Sequence, residues 1–236
     1  MKNIRLMGAV IIALAVTVGS LVIVGCAGPR EAADGWVSLF DGKTLNGWEQ
    51  HSGKAEYRVE DGCIVGKTVA NTGNSFLCTK RRFDDFVFEF EFKVATNMNS
   101  GVQFRSEWFD KDKELTIDGK KKKIPADRIH GYQYEIDPSA RAYSAGVYDE
   151  ARRGWLADLK ENEAARKAFK QGEWNQGRIE CRGDSIKTWI NNVPTTDFKD
   201  SVTLCGVFGL QVHGIGKKGV PGSEIRWRSI RIKELK

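Results

Sequence analysis

Between Phe86 and Val94 the chain reads Phe-Val-Phe-Glu-Phe-Glu-Phe-Lys-Val, a ring at every second position with Val, Glu, Glu and Lys between them. A period of two places the rings on one face of a β-strand and the charges on the other. That is the pattern of a half-buried antiparallel strand. Runs of the same kind recur at Tyr57–Val65, Gly101–Arg105, Tyr132–Asp137, Arg178–Arg182, Ser185–Asn191, Val207–Val212 and Ile225–Ile232. In the last run Ile225 and Trp227 set one phase and Ile230 and Ile232 the other. A β-bulge near Arg228-Ser229 is predicted to return the second pair to the core. Asp61-Gly62, Asp118-Gly119, Gly183-Asp184 and Asn191-Asn192 mark turns between runs. Only Leu156–Lys170, rich in Ala, Glu and Lys, reads as a helical insertion. Many strands with almost no helix predict an all-β sandwich or jelly roll. No break divides residues 35–236.

Composition narrows the picture. The 236 residues are 41% hydrophobic and 29% charged, enough for a real core without disulfide staples or a structural metal. The 37 basic and 31 acidic residues give a formal charge of +6, or +4 without Lys2 and Arg5. Acidic residues are interleaved with the basic ones and no basic stripe carries regular aromatics, so nucleic acid is not an expected partner.

Lys2 and Arg5 precede an uncharged run from Leu6 to Val24, the plan of a secretory signal. The run ends Ile23-Val24-Gly25-Cys26, which resembles a bacterial lipobox with Cys26 as the lipidated residue. The expected organisation is a lipoprotein signal over 1–25, a tether over 26–34 and a β-sandwich domain over 35–236. A single membrane-spanning anchor is the alternative for the same run. Either way the domain is exported and held at a membrane, in the periplasm or at the cell surface. Cys63, Cys78, Cys181 and Cys205 remain, with no zinc-ligand spacing among them. Cys63 and Cys78 lie symmetrically about Ala70-Asn71, as facing residues of a hairpin would. A disulfide and two buried thiols are both open there.

Several motifs carry chemistry on paper. Gly214-Ile215-Gly216-Lys217-Lys218-Gly219 fits a dinucleotide glycine pattern. Val220-Pro221-Gly222 and another strand follow in place of the helix that would hold a pyrophosphate, so no nucleotide is expected. Arg182-Gly183-Asp184 reads as a hairpin turn, and Lys120–Lys123 as a solvated basic loop. Glu135 and Asp137 alternate onto one strand face, like the Glu-x-Asp of jelly-roll glucanases. Pro138, Ser139 and Ala140 follow, so the further Glu that a two-carboxylate retaining mechanism needs is missing. His213 ends a strand beside a glycine-rich loop, and an imidazole titrates near neutral pH, as a proton-transfer group should. Gln103 and Arg105 share a face by alternation, and the planar fork of Arg105 suits a carbonyl, a carboxylate or sugar hydroxyls.

Taken in order, these segments resemble the 3-keto-disaccharide hydrolase family. The resemblance rests on Gly35–Trp48, Phe83-Asp84-Asp85-Phe86, the Asn99-Ser100-Gly101 turn with its strand to Arg105, Gly131–Asp137, Gly146-Val147-Tyr148, Trp174-Asn175, Gly209–Gly214 and Ile225–Leu235. The chain departs from it in a lysine-rich insertion around Thr116–Ile124 and a helical insertion before Trp174. The resemblance implies a concanavalin-like jelly-roll β-sandwich of two antiparallel sheets. It also implies cleavage of glycosides first oxidised at C3 by a separate sugar 3-dehydrogenase.

A C3 ketone acidifies the C2 proton, so a base, an enolate-stabilising cation and an acid suffice. On this reading His213 is the base. Arg105 or a divalent metal stabilises the enolate. Glu135 is the second acid/base, or with Asp137 a ligand of calcium, manganese or magnesium. Lys80, Gln133, Tyr148 and Gln211 are expected to line the substrate. The rival readings are a carbohydrate-binding module without chemistry, its tryptophans stacking on sugars, and an ordinary glucanase.

Overall fold

The computed structural model describes residues 34–96 and 98–235. The signal, Cys26 and most of the tether lie outside them. The structure is a jelly-roll β-sandwich of two large antiparallel sheets. One sheet runs β15 (Val193–Lys199), β14 (Ser185–Ile190), β13 (Asn175–Arg182), β6 (Phe86–Val94), β17 (Glu224–Glu234), β4 (Cys63–Lys67) and β3 (Glu56–Glu60), with β1 (Val37–Ser38) also on β17. We call it the ionic sheet. The other runs β12 (Gly154–Ala157), β11 (Val147–Glu150), β10 (His130–Ile136), β7 (Ser100–Glu107), β16 (Val207–Val212), β5 (Ser75–Thr79) and β2 (Trp48–Ser52). This is the amide sheet. A hairpin of β8 (Lys113–Ile117) and β9 (Lys120–Ile124) stands apart.

The phenylalanine strand behaves as its alternation requires. Phe86, Phe88, Phe90 and Phe92 are buried between the sheets. Phe88 stacks on Phe208 of the amide sheet at 3.9 Å between centroids, and Phe90 meets Tyr134 edge-on at 5.2 Å. Burying each such ring contributes about 1.5–3 kcal/mol. The bulge in β17 is present: its register on β6 shifts between Arg228 and Arg231, and Ser229 takes φ +52°. Ile225, Trp227, Ile230 and Ile232 are all buried as a result.

Other expectations need correction. Cys63 lies on β4 and Cys78 on β5, strands of different sheets, so they are not hairpin partners. All four cysteines of the domain are free thiols, and Cys63, Cys78 and Cys181 are buried. The helical insertion is only α1 (Glu163–Ala168), capped by the Asn162 side chain on the Ala165 amide. Leu156 instead continues the edge strand β12. Lys120–Lys123 is strand β9 rather than a loop, its charges offset by pairs such as Lys121–Glu114 and Lys123–Asp112.

Candidate active site

The outer face of the amide sheet carries the site, and its floor is built from one repeated tripeptide. β7, β10 and β16 are neighbours, and each carries Gly-x-Gln: Gly101-Val102-Gln103, Gly131-Tyr132-Gln133 and Gly209-Leu210-Gln211. Gln103 pairs across the strands with Gln133 on one side and Gly209 on the other, while Gly101 separates Glu135 from Gln211. The missing side chain at Gly101 is what admits the amides, since a Cβ there would stand 2.6 Å from Gln133. The three glutamines lie flat in this hollow, at most 2% exposed.

Their hydrogen bonds run in one direction. Both Glu135 oxygens accept, Oε1 from Asn99 Nδ2 at 2.6 Å and Oε2 from Gln133 Nε2 at 2.7 Å. Gln133 must therefore present its carbonyl to the other side. There it accepts from Gln103 Nε2 at 2.6 Å and Gln211 Nε2 at 2.8 Å. Ser106 Oγ donates to Gln103 Oε1 at 2.7 Å. The relay fixes every amide rotamer by donor–acceptor logic alone.

Two carboxylates, Glu135 on β10 and Asp137 just past its end, are pushed apart in their acidity. Burial raises Glu135 above the ordinary carboxylate range, only partly offset by the bonds from Asn99 and Gln133. Burial also pushes Asp137 upward, but bonds from Ser139 and Arg141 outweigh it, and the net shift is downward. Asp137 is thus a firm anion that shapes the loop after β10. It accepts from the Ser139 and Tyr143 amides and from Arg141 Nε at 2.7 Å. Opposed shifts of this kind separate an acid from a spectator anion.

A cavity of about 520 Å³ opens above the floor. Glu135, Gln133 and Gln211 reach it from below; Tyr148, Glu150 and Trp155 form one wall, Asn74, Asn99 and His213 another, and Arg141 reaches it from the loop. Trp155 and Tyr148 meet edge-on at 5.4 Å, with the Arg141 guanidinium 5.1 Å from the Trp155 ring centre. His213 Nδ1 lies 2.9 Å from the Gly214 carbonyl. A carbonyl only accepts, so Nδ1 carries a proton, and in the neutral imidazole the Nε2 lone pair is free. Asn74 accepts from the Gly214 amide at 2.9 Å and donates to Glu150 at 3.3 Å, which ties the His213 turn to the opposite wall. Gly214 is required at that turn because a Cβ would come within 2.5 Å of the Gly73 backbone.

Of the residues singled out in the sequence, His213, Glu135, Gln133, Gln211 and Tyr148 meet in this cavity. Arg105 does not. A register irregularity and φ +45° at Arg105 end the alternation after Gln103. Its fully buried guanidinium instead bonds the Asp84 and Gly183 carbonyls and the Asp85 carboxylate, where it pins a turn of the ionic sheet. Lys80 is exposed beyond the end of β5 opposite Asn74. Asp137 does not line the cavity, and its oxygens are occupied.

Glu135 and Asp137 accordingly form no joint ligand set. Among the described residues no group of three or more His, Cys, Asp and Glu side chains gathers as metal ligands do. With its oxygens held by Arg141 and two backbone amides, Asp137 does not fit a divalent ion shared with Glu135.

The other two histidines are committed elsewhere. His51 bonds Asp127 at 2.5 Å, and His130 is buried, pushed down to about 4 by desolvation and the nearby Arg152 and Arg128. Arg141, Asn74, Asn99, Glu150 and Trp155 escaped the sequence reading as site residues. The recurring Gly-x-Gln was the available signal for the floor. No local pattern announces Arg141, which a loop delivers, or Glu150, at the end of β11.

These features define a jelly-roll β-sandwich with a small-molecule cavity of mixed carboxylate, amide, guanidinium and aromatic walls on one outer face. The chain belongs to the family of 3-keto-alpha-glucoside-1,2-lyase-like domains, whose sequence model matches residues 35–233. It is 30% identical over 163 residues to a 3-keto-disaccharide hydrolase of Bacteroides thetaiotaomicron, covering 62% of this chain and 52% of that protein. The chain thus matches about half the length of that curated relative.

Solved structures share the fold at lower identity. A putative glycosyl hydrolase of Parabacteroides distasonis superposes with TM-score 0.56 at 19% identity, over 86% of this chain and 95% of its own. The carbohydrate-binding module CBM66 of Bacillus subtilis gives 0.55 at 18%, over 81% and 98%. A galectin-like protein of Bacillus subtilis gives 0.57 at 11%, over 80% and 90%.

Proposed function

We propose that the chain cleaves 3-keto-glycosides, 3-keto-disaccharides among them, by C2 deprotonation, β-elimination and rehydration. Family membership and the relative's name support the substrate class. The observation that carries the chemistry is that a buried, upshifted Glu135 and a His213 with a free Nε2 line one cavity.

In this mechanism His213 Nε2 takes the C2 proton. Arg141, held by Asp137, replaces Arg105 as the cation that stabilises charge developing on the C3 oxygen. Protonated Glu135 gives its proton to the glycosidic oxygen as the C1–O bond breaks. Water then adds at C1 of the enone and a proton returns to C2, so the net change is hydrolysis. Trp155 and Tyr148 supply an apolar wall for a sugar face.

Release of the aglycone from a 3-keto-disaccharide, with none from the unoxidised sugar, is the expected result. Folded protein that leaves the 3-keto substrate intact would overturn the reading. The same proposal needs a sugar 3-dehydrogenase upstream. It also takes the chain as an exported lipoprotein anchored through Cys26, so palmitate labelling should disappear in Cys26→Ser. Turnover should persist after chelator treatment; loss restored by one divalent ion would bring a metal back into the mechanism. A second reading, carbohydrate binding without turnover, is favoured by the Trp155–Tyr148 wall. Tight binding of a 3-keto-disaccharide with no product would select it.

A further inference from the structure

A second cavity, of about 510 Å³, adjoins the first, and the two share Asn99 and His213. Its character is different. The polar cavity has two carboxylates, a guanidinium and four carboxamides around it. The second is walled by Met98, Ile215 and Val220 with the hydroxyl residues Thr68, Thr96 and Ser223, and no Asp, Glu, Lys or Arg lines it. The Thr68 hydroxyl already accepts from the Ser223 amide at 3.0 Å. The loop after His213 closes this cavity, with Ile215 bridging to Ala70 and Ser223 bonded to Thr68. Val220 stands on that loop at 82% exposure, against 39% for Val202 and 45% for Leu204, the other exposed large hydrophobic residues among the described residues. A large apolar side chain left in water at the lip of an apolar wall gains contacts when an apolar group enters.

We propose that the second cavity is the leaving-group subsite and that it takes a weakly polar aliphatic or aromatic aglycone in preference to a second sugar. This rests on the reading of the polar cavity as the 3-keto-sugar site. A sugar ring presents a ring of hydroxyls best met by charged and amide partners; the polar cavity offers seven such side chains and the second cavity only the shared Asn99. The shared residues mark where the two halves of the substrate join. His213 is the base, and Asn99 holds the Glu135 acid at 2.6 Å. The bond that breaks therefore lies over the boundary, with the oxidised ring on the amide floor and the aglycone against Ile215 and Val220.

The test compares 3-keto-glucosides with methyl and n-hexyl aglycones, whose leaving alkoxides are alike, and a 3-keto-disaccharide. The hexyl glycoside is expected to have a KM about tenfold or more below that of the methyl glycoside, with the disaccharide near the methyl value. Val220→Asp, a change at an exposed position, should remove most of the hexyl advantage. Equal KM for hexyl and methyl, a disaccharide tighter than hexyl, or an advantage that survives Val220→Asp overturns the subsite. Exchange of the C2 proton of free 3-keto-glucose in D2O separates the two levels of inference. Exchange and cleavage without a hexyl advantage sink the subsite alone. No exchange and no cleavage of any 3-keto substrate sink the underlying function and the subsite with it.

Discussion

The outer faces of the two sheets solve opposite problems. On the ionic sheet, Glu89 bonds Arg178 and Arg231, Glu91 bonds Arg228, and Glu60 and Glu224 share Arg58 and Arg226. Every carboxylate there has a cation and most are partly in water. On the amide sheet, Glu135 has no cation as a direct partner. Carboxamides hold it and burial keeps its pKa high. A salt bridge would have made it a permanent anion; two amide donors orient it and leave it able to carry a proton. Surface stability and proton transfer thus call for different partners of the same residue type.

Changing the base should have the largest effect. His213→Ala is expected to lower turnover of a 3-keto-glycoside about 10²–10⁴-fold with little change in Tm, because His213 is exposed. A folded variant with wild-type turnover would remove the base assignment. Next comes the acid. Because the raised Glu135 pKa extends the protonated form to higher pH, kcat/KM should fall on an alkaline limb above the ordinary carboxylate range. Glu135→Gln should slow turnover and flatten that limb; a limb that persists belongs to another group.

Breaking the relay sharpens the contrast further. Gln133→Leu leaves the Gln103 and Gln211 amides without an acceptor, at about 1–3 kcal/mol for each buried group left unpaired. It also takes one donor from the Glu135 carboxylate, so the alkaline limb should move up in pH. Lower Tm with an unmoved limb would reduce the relay to packing.

Asp137→Asn releases Arg141 and should lower kcat more modestly. Its folded pKa lies below the unfolded one, so its stabilisation is present at neutral pH and fades as pH falls through the folded value. The Tm gap between Asp137→Asn and wild type should close in strong acid. The smallest effect belongs to the ionic face. Glu91→Gln is expected to cost about 1 kcal/mol or less and to leave turnover unchanged, measured by denaturant titration and by the same assay.

The sequence by itself determined the sandwich. Strong alternation in Phe86–Val94 and the phase break before Ile230 are local patterns, and a strand has only two faces, so pattern and structure must agree. Weaker elements such as β2, β11 and β12 were missed because edge strands and mixed burial blur the period. For the site, alternation placed Gln133 and Glu135 together because they share one strand. It failed for Arg105, whose own left-handed backbone, beside a register irregularity, turned its side chain away from the face that Gln103 shares. It failed for the Cys63–Cys78 pair because symmetry about a turn cannot say which sheet each strand joins. Which loop delivers a cation to a buried acid, and which glycines face which glutamines, depend on strand order and register across residues far apart in the chain. Those are set by how the whole sandwich packs, and only the tertiary structure decided them.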